Sequence, residues 1–452
     1  MSTLLLRHAD VIVTMDDDRR EISDGALLAR DGVIEAVGPT AELPAQADRV
    51  IDLRGKVLIP GLVNTHHHLY QNLTRLLPAA QDAPLFDWLR ALYPVWANLT
   101  PECFRVSAQI GIGELLLSGC TTSSDHQYIF PNGSTLDDTI DAVAATGIRF
   151  HALRGSMSVG ESKGGLPPDS LVENEDSILL DSERLITRFH DASPQSRLQV
   201  ALAPCSPFSV SRELMRESAA MARRHGVRLH THLAENTQDV AYSREQFNQT
   251  PGEYAEDLGW VGDDVWHAHC VQLDDADIAR FAATGTAVAH CPCSNLRLAS
   301  GVAPVMPMLQ AGVPVGLGVD GSSSNDSGHL LAEARQAMLL QRLREGADGC
   351  SARDMLAVAT RGGARALGRQ DHLGSLQVGY QADCAAFAID DLWHAGAVLD
   401  PVASLLLCHS TQAAYTIVGG DVLVDDGELR TIDLASLLPR HRELAMALAS
   451  KV

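Results

Sequence analysis

Residues 57–68 read VLIPGLVNTHHH, an almost wholly apolar run that ends in three consecutive histidines. A strand without polar alternation is buried on both faces, as in a parallel sheet covered by helices. Seven further runs share the texture: GCTTSSD (119–125), IRFHALRG (148–155), LQVALAPC (198–205), VRLHTH (227–232), VWHAHC (265–270), TAVAHC (286–291) and VPVGLGVD (313–320). Each is followed by a longer segment with helical periodicity. Eight such units over residues 57–371 predict a closed (β/α)8 barrel of the TIM type. An open doubly wound sheet is disfavoured, because no run leads into a G-x-G-x-x-G turn or a phosphate-cradling loop.

The two ends of the chain have a different rhythm. Residues 1–56 alternate apolar and polar positions between Gly/Asp turns, as in LLLRHADVIVTM and GVIEAVG. The pattern returns after residue 372 in DCAAFAID, AAYTIVGGD and VLVDDGEL. Alternation of this kind marks half-buried antiparallel strands. Residues 1–56 and 372–452 are therefore expected to form one small flanking β-sandwich domain, with a C-terminal helix.

Composition narrows the partners. Lys+Arg number 35 and Asp+Glu 57, a net charge of −22 that repels phosphate backbones and anionic lipid. Neither nucleic acid nor a membrane surface is an expected partner. No stretch of 18 apolar residues runs without a charge, and no basic leader precedes an apolar segment, so neither a span nor export is predicted. The nine cysteines are scattered and odd in number, which reads as reduced thiols in a cytoplasmic protein.

Chemistry gathers where the apolar runs end, since in a barrel those ends converge on one face. Alternation along a strand sends His66 and His68 to one side and His67 to the other. The fifth run ends with His230 and His232 and is followed by Glu235; the sixth ends at His269 and the eighth at Asp320. Three imidazoles and a carboxylate suit a borderline cation, Zn²⁺ or Fe²⁺, with a position left for water. His66, His68, His232 and Asp320 are the assigned ligands. His290 and the pair Cys291 and Cys293, which lack a second cysteine pair, read as packing or pocket lining.

The set PGLVNTHHH, HTHLAE, AHC, CPCSN and GVDG resembles the amidohydrolase superfamily, in the aminohydrolase branch that holds cytosine and guanine deaminases and the s-triazine hydrolases. The resemblance spans nearly the whole chain, including GSLQVGYQAD at 374–383. The loop stretches LLPAAQD, LYPVWANLTPE, RGSMSVGESKGGLPPDS and AHCPCSNLRLASGVAPV are most similar to those of 8-oxoguanine deaminases. This implies a purine-like small-molecule substrate, hydrolysed to urate and ammonia. Many dinuclear members carry a lysine after the fourth barrel strand; here that strand ends APCSP, so a single ion is implied, and a homodimer is the usual assembly of such relatives.

The resemblance also implies roles. Glu235 moves the proton of the attacking water to a ring nitrogen, His269 hydrogen-bonds the attacking oxygen, and Asp320 delivers a proton to the departing amine. Gln71 and Arg154 are expected to read the polar edges of the ring, with Trp88 and Tyr128 as stacking partners. The alternatives are an aminohydrolase of guanine, a pterin or a hydroxylated s-triazine, and an inactive barrel that serves as a binding or assembly subunit.

Overall fold

The structure is a computed structural model and describes residues 2–451. Five strands open the chain: β1 (Thr3–Val13), β2 (Glu21–Arg30), β3 (Val33–Pro39), β4 (Arg49–Asp52) and β5 (Lys56–Pro60). Eight parallel strands then close into a barrel: β6 (Leu62–Asn64), β7 (Cys120–Gln127), β8 (Arg149–Ser156), β9 (Leu198–Pro204), β10 (Arg228–Leu233), β11 (Val265–His269), β12 (Ala287–His290) and β13 (Val315–Leu317). The seam is shut by pairing of Leu317 with Asn64. Four more strands follow: β14 (Cys384–Ala388), β15 (Tyr415–Val418), β16 (Asp421–Asp425) and β17 (Glu428–Leu429).

The terminal strands make one nine-stranded sheet, separate from the barrel, in the order β17-β16-β15-β14-β5-β1-β2-β3, with β4 on β1. The antiparallel ladder between β5 and β14 joins the two ends of the chain. The run read as a single barrel strand over 57–66 is thus divided. Its first half belongs to the terminal sheet and only Leu62–Asn64 to the barrel. Gly61 is the switch. Its N–H donates to Asp383 O at 2.9 Å, while the next N–H, of Leu62, donates to Gly119 O at 3.0 Å. A side chain there would collide with β7, because a Cβ on Gly61 would lie 2.0 Å from Thr121 Oγ1.

The helix Leu434–Ala449 packs against the helix Pro101–Leu117 and the short segment Leu69–Thr74. Its Leu444 and Leu448 are buried in one apolar cluster with Tyr70, Trp88, Trp96 and Tyr128. His441 on this helix donates from Nε2 to Asn72 Oδ1 at 2.7 Å. All nine cysteines are free. No helix among the described residues is long and apolar enough to cross a membrane.

A buried ion pair pins the barrel to the terminal sheet. Arg149 of β8 donates from Nε and Nη2 to the two carboxylate oxygens of Asp383 at 2.7 and 2.9 Å, and from Nη1 to the carbonyls of Gln195 and Ser196. Both side chains are buried. Removing one member of such a pair strands the other charge in a low-dielectric interior, which costs about 3–5 kcal/mol. Asp383→Ala is therefore expected to lower the urea midpoint by that free energy at an unchanged denaturant slope. A loss below about 1 kcal/mol, the worth of an exposed pair, would show that Arg149 does not depend on this partner.

Candidate active site and metal centre

The carboxyl ends of the barrel strands bring together the residues that the sequence scatters. His66 and His68 follow β6, His232 lies near the end of β10, His269 ends β11 and Asp320 follows β13. His66 Nε2 and His68 Nε2 are each 3.3 Å from Asp320 Oδ1, and His68 Nε2 is 3.2 Å from His232 Nε2. Backbone conformation contributes to this aim. His269 and Asp320 sit at φ of 72° and 61°, a left-handed region that side-chain-bearing residues seldom adopt and that costs about 1–3 kcal/mol unless the surroundings enforce it.

Hydrogen bonds on the outer side of each ring fix which nitrogen faces inward. A backbone carbonyl can only accept, so the nitrogen that touches it carries the hydrogen. His68 donates from Nδ1 to His126 O at 2.7 Å and His232 from Nδ1 to Cys205 O at 2.6 Å. Their Nε2 lone pairs then face one another, and that of His68 also faces the Asp320 carboxylate. His66 Nε2 is buried with no hydrogen-bond partner. Burial pushes all three imidazoles below the ordinary histidine range, His232 to about 3, so they stay neutral. Neutral imidazoles with bare, converging nitrogens repel one another and an anion, and a cation among them removes that repulsion. The donor set of three imidazoles and one carboxylate fits a zinc-type ion.

Asp320 is held from its other oxygen, where Ser294 Oγ donates to Oδ2 at 2.6 Å. His269 stands beside this group: its Nε2 is 3.7 Å from Glu235 Oε2 and 4.0 Å from Asp320 Oδ2, while its Nδ1 meets Asn295 Oδ1 at 2.9 Å. Burial raises the Glu235 carboxyl well above its usual range, and the nearby Asp239 and Asp320 add to the shift.

Above these groups lies a cleft that encloses about 440 Å³ of empty space, the open solvent at its mouth included. Its polar end is formed by His68, His232, Glu235, His269 and Asp320, and its walls by Leu85, Trp88, Leu89, Tyr93, Tyr128, Phe208 and Leu298. Gln71 also lines it, with Oε1 buried and unpartnered. Gly321 makes room for that amide, since a Cβ there would lie 1.9 Å from Gln71 Oε1.

Three of the four expected substrate contacts, Gln71, Trp88 and Tyr128, face the cavity. Trp88 is additionally tied down, donating from Nε1 to Ser323 O at 3.0 Å. Arg154 is a correction. It does not line the cavity: its guanidinium donates to Asp181 at 2.7 Å and to Glu173 at 2.8 and 3.1 Å, and lies 4.2 Å from the Phe130 ring centroid. Two carboxylates downstream have claimed its donors. His67 is buried on the other side, accepting from His68 N at Nδ1. His290 lies outside the cavity, buried and without partners.

Sequence reasoning missed His126, whose carbonyl orients His68 and whose ring stacks on His232 at 4.9 Å. It also missed Asn295 and Ser294, although CPCSN contains both, and the wall residues Tyr93, Phe208 and Leu298. Spacing identifies strand ends but carries no signal for which loop residue turns inward.

The closed barrel and the imidazole–carboxylate group at its carboxyl end define a barrel protein with a site suited to a metal ion. Residues 57–422 match the model of the Amidohydrolase family. The chain is 48% identical over 430 residues to an 8-oxoguanine deaminase of Pseudomonas aeruginosa, covering 94% of this chain and 95% of the relative. It is 37% identical over 479 residues to an isoxanthopterin deaminase of an unknown prokaryotic organism, covering 99% and 98%. The crystal structure of an atrazine chlorohydrolase from Arthrobacter aurescens TC1 complexed with zinc superposes with a TM-score of 0.93 at 35% identity, covering 98% of this chain and 100% of that one. The chain belongs to the amidohydrolase family and is a hydrolase acting on C–N bonds.

If the converging nitrogens hold an ion, binding must stabilise the fold. At zinc 100-fold above its dissociation constant the gain is about 2.7 kcal/mol, so adding zinc to chelator-treated protein should raise its unfolding temperature. Asp320→Ala, tested in parallel, should lose most of that response; an equal response in both proteins would place the ion elsewhere.

Proposed function

We propose that the enzyme hydrolyses the exocyclic C–N bond of an oxidised purine, most directly 8-oxoguanine, to give urate and ammonia. The observation that carries this reading is the placement of Glu235 and the unpartnered Gln71 amide in one cavity with the converging imidazoles. The long, even similarity to the 8-oxoguanine deaminase supports it.

His66, His68, His232 and Asp320 would hold a single Zn²⁺ in this reading, since β9 runs into Cys205 and Ser206 where dinuclear relatives carry lysine. A bound ion of this kind lowers the pKa of water from about 16 to about 7 and so supplies a nucleophile at neutral pH.

The chain's own groups supply the rest. The water oxygen bonds to C2 of the ring and the C2–N bond to the amino group breaks. Glu235 takes the water's proton and passes it to the adjacent ring nitrogen, which makes C2 electrophilic. Burial suits Glu235 to this exchange, because a raised carboxyl pKa brings its proton affinity closer to that of the groups it serves. His269, held at Nδ1 by Asn295, would hydrogen-bond the attacking oxygen at Nε2, which lies 3.7 Å from Glu235 Oε2. Asp320 collects the second proton and delivers it to the leaving nitrogen, so that ammonia departs.

Gln71 offers both a donor and an acceptor to a ring carbonyl and its neighbouring N–H, and Tyr128 and Trp88 give the flat ring apolar surfaces. Nine unpaired thiols support a reducing, cytoplasmic setting. A pterin substrate is the second reading, favoured by the likeness to the isoxanthopterin deaminase.

Ammonia release from 8-oxoguanine, guanine, isoxanthopterin and a hydroxylated s-triazine distinguishes these readings. The highest kcat/KM is expected for 8-oxoguanine with urate as product, and no turnover of that base would end the specific assignment. Glu235→Gln should retain its zinc and lose about 10²–10⁴-fold in kcat. Gln71→Leu, which leaves a substrate polar edge unpaired at a cost of about 1–3 kcal/mol, should lose roughly tenfold to a hundredfold in kcat/KM at unchanged zinc content; a variant with wild-type kinetics would remove Gln71 from recognition.

A further inference from the structure

The two histidines of the 230–232 pair have separate destinies. His232 contributes an atom to the ligand groups and His230 does not. His230 is fully buried, and both its nitrogens are engaged. Its Nδ1 lies 2.9 Å from Trp266 O, an acceptor only, so Nδ1 carries the hydrogen and the neutral ring presents Nε2 as an acceptor. His66 Nδ1 stands 2.8 Å from that Nε2 and must donate to it. The hydrogen of His66 is thereby committed to the outer side of its ring, and the bare nitrogen is Nε2, the atom buried without a partner and 3.3 Å from Asp320 Oδ1.

Trp266 closes the circuit. Its Nε1 donates at 2.9 Å to the carbonyl of Thr65, the residue before His66, and its ring stacks on His230 with centroids 4.6 Å apart. Thr65, His66, His230 and Trp266 thus form one loop of hydrogen bonds and covalent links across β6, β10 and β11. His68 and His232 are each fixed by a backbone carbonyl, which no substitution removes. His66 alone among the three relies on a side chain for its orientation.

We propose that His230 is a positioning residue: it holds His66 in the Nδ1–H form and so fits that ring to bind the ion. The partner of a ligating histidine is commonly a carboxylate or carbonyl; here it is a neutral imidazole, which orients the ring without adding negative charge to the centre.

The test compares His230→Met, which fills the space without a strong acceptor, with His230→Gln, whose Oε1 can take the His66 hydrogen. Zinc affinity is measured by competition with a chromogenic chelator, and the visible absorption of the cobalt-loaded proteins is recorded. His230→Met is expected to weaken zinc binding about 10–100-fold, the usual loss for an outer partner, with a changed cobalt spectrum. His230→Gln should recover most of the affinity and the wild-type spectrum, while the metal-free unfolding midpoints of the two variants agree. Zinc binding by His230→Met within twofold of wild type would overturn the proposal, as would a His230→Gln variant as weak as His230→Met. Should the methionine variant not fold, nitrogen NMR of the zinc-loaded wild type decides: a hydrogen on His66 Nδ1 is expected, and its absence refutes the assignment. None of these measurements uses a substrate, so their outcome is independent of whether 8-oxoguanine is turned over.

Discussion

Three bare imidazole nitrogens and a carboxylate oxygen are forced to within 3.2–3.3 Å of their neighbours. Left alone, this arrangement is repulsive, and only a rigid surround keeps it in place. Each ring is locked from behind by a hydrogen bond, and Asp320 is braced by Ser294. The closed barrel supplies the rigidity, because strands that pair on both sides cannot move one ligand without moving its neighbours.

The same logic accounts for what the sequence disclosed. Eight apolar runs identify the barrel because burial on both faces leaves no room for polar alternation, and histidines at strand ends stand out against that background. The pairing of His66 with His68 is what alternation along a strand predicts, although both lie just past the end of β6. Less was legible where the outcome depends on partners distant in the chain. Arg154 occupies a strand end, as the ligands do, yet Glu173 and Asp181 draw it away from the cavity. His230 and His232 share a face by alternation, but one reaches the centre and the other backs a residue 164 positions earlier. The division of the run at 57–66 was likewise hidden, since both halves are apolar and only the partner strands distinguish them.

Chemistry and selectivity are built from different parts of the molecule. The groups assigned in the proposed reaction to the ion and the protons sit on or just beyond barrel strands, where position is tightly fixed. Gln71 comes from the short segment Leu69–Thr74, and much of the cavity wall comes from loops and from the helix Leu85–Trp96. This separation is consistent with relatives whose names specify a purine, a pterin and a triazine on one framework.

The helix Leu434–Ala449 has a bearing on the order of events during synthesis. Every side chain assigned to the ion has been synthesised once Asp320 is made, so on a growing chain the assigned ligands are complete before this helix begins. The backing of the substrate chamber cannot, because Leu444, Leu448 and the His441 link to Asn72 arrive much later. On the proposed reading, the groups assigned to the metal are thus complete in the chain before the chamber assigned to the heterocycle is.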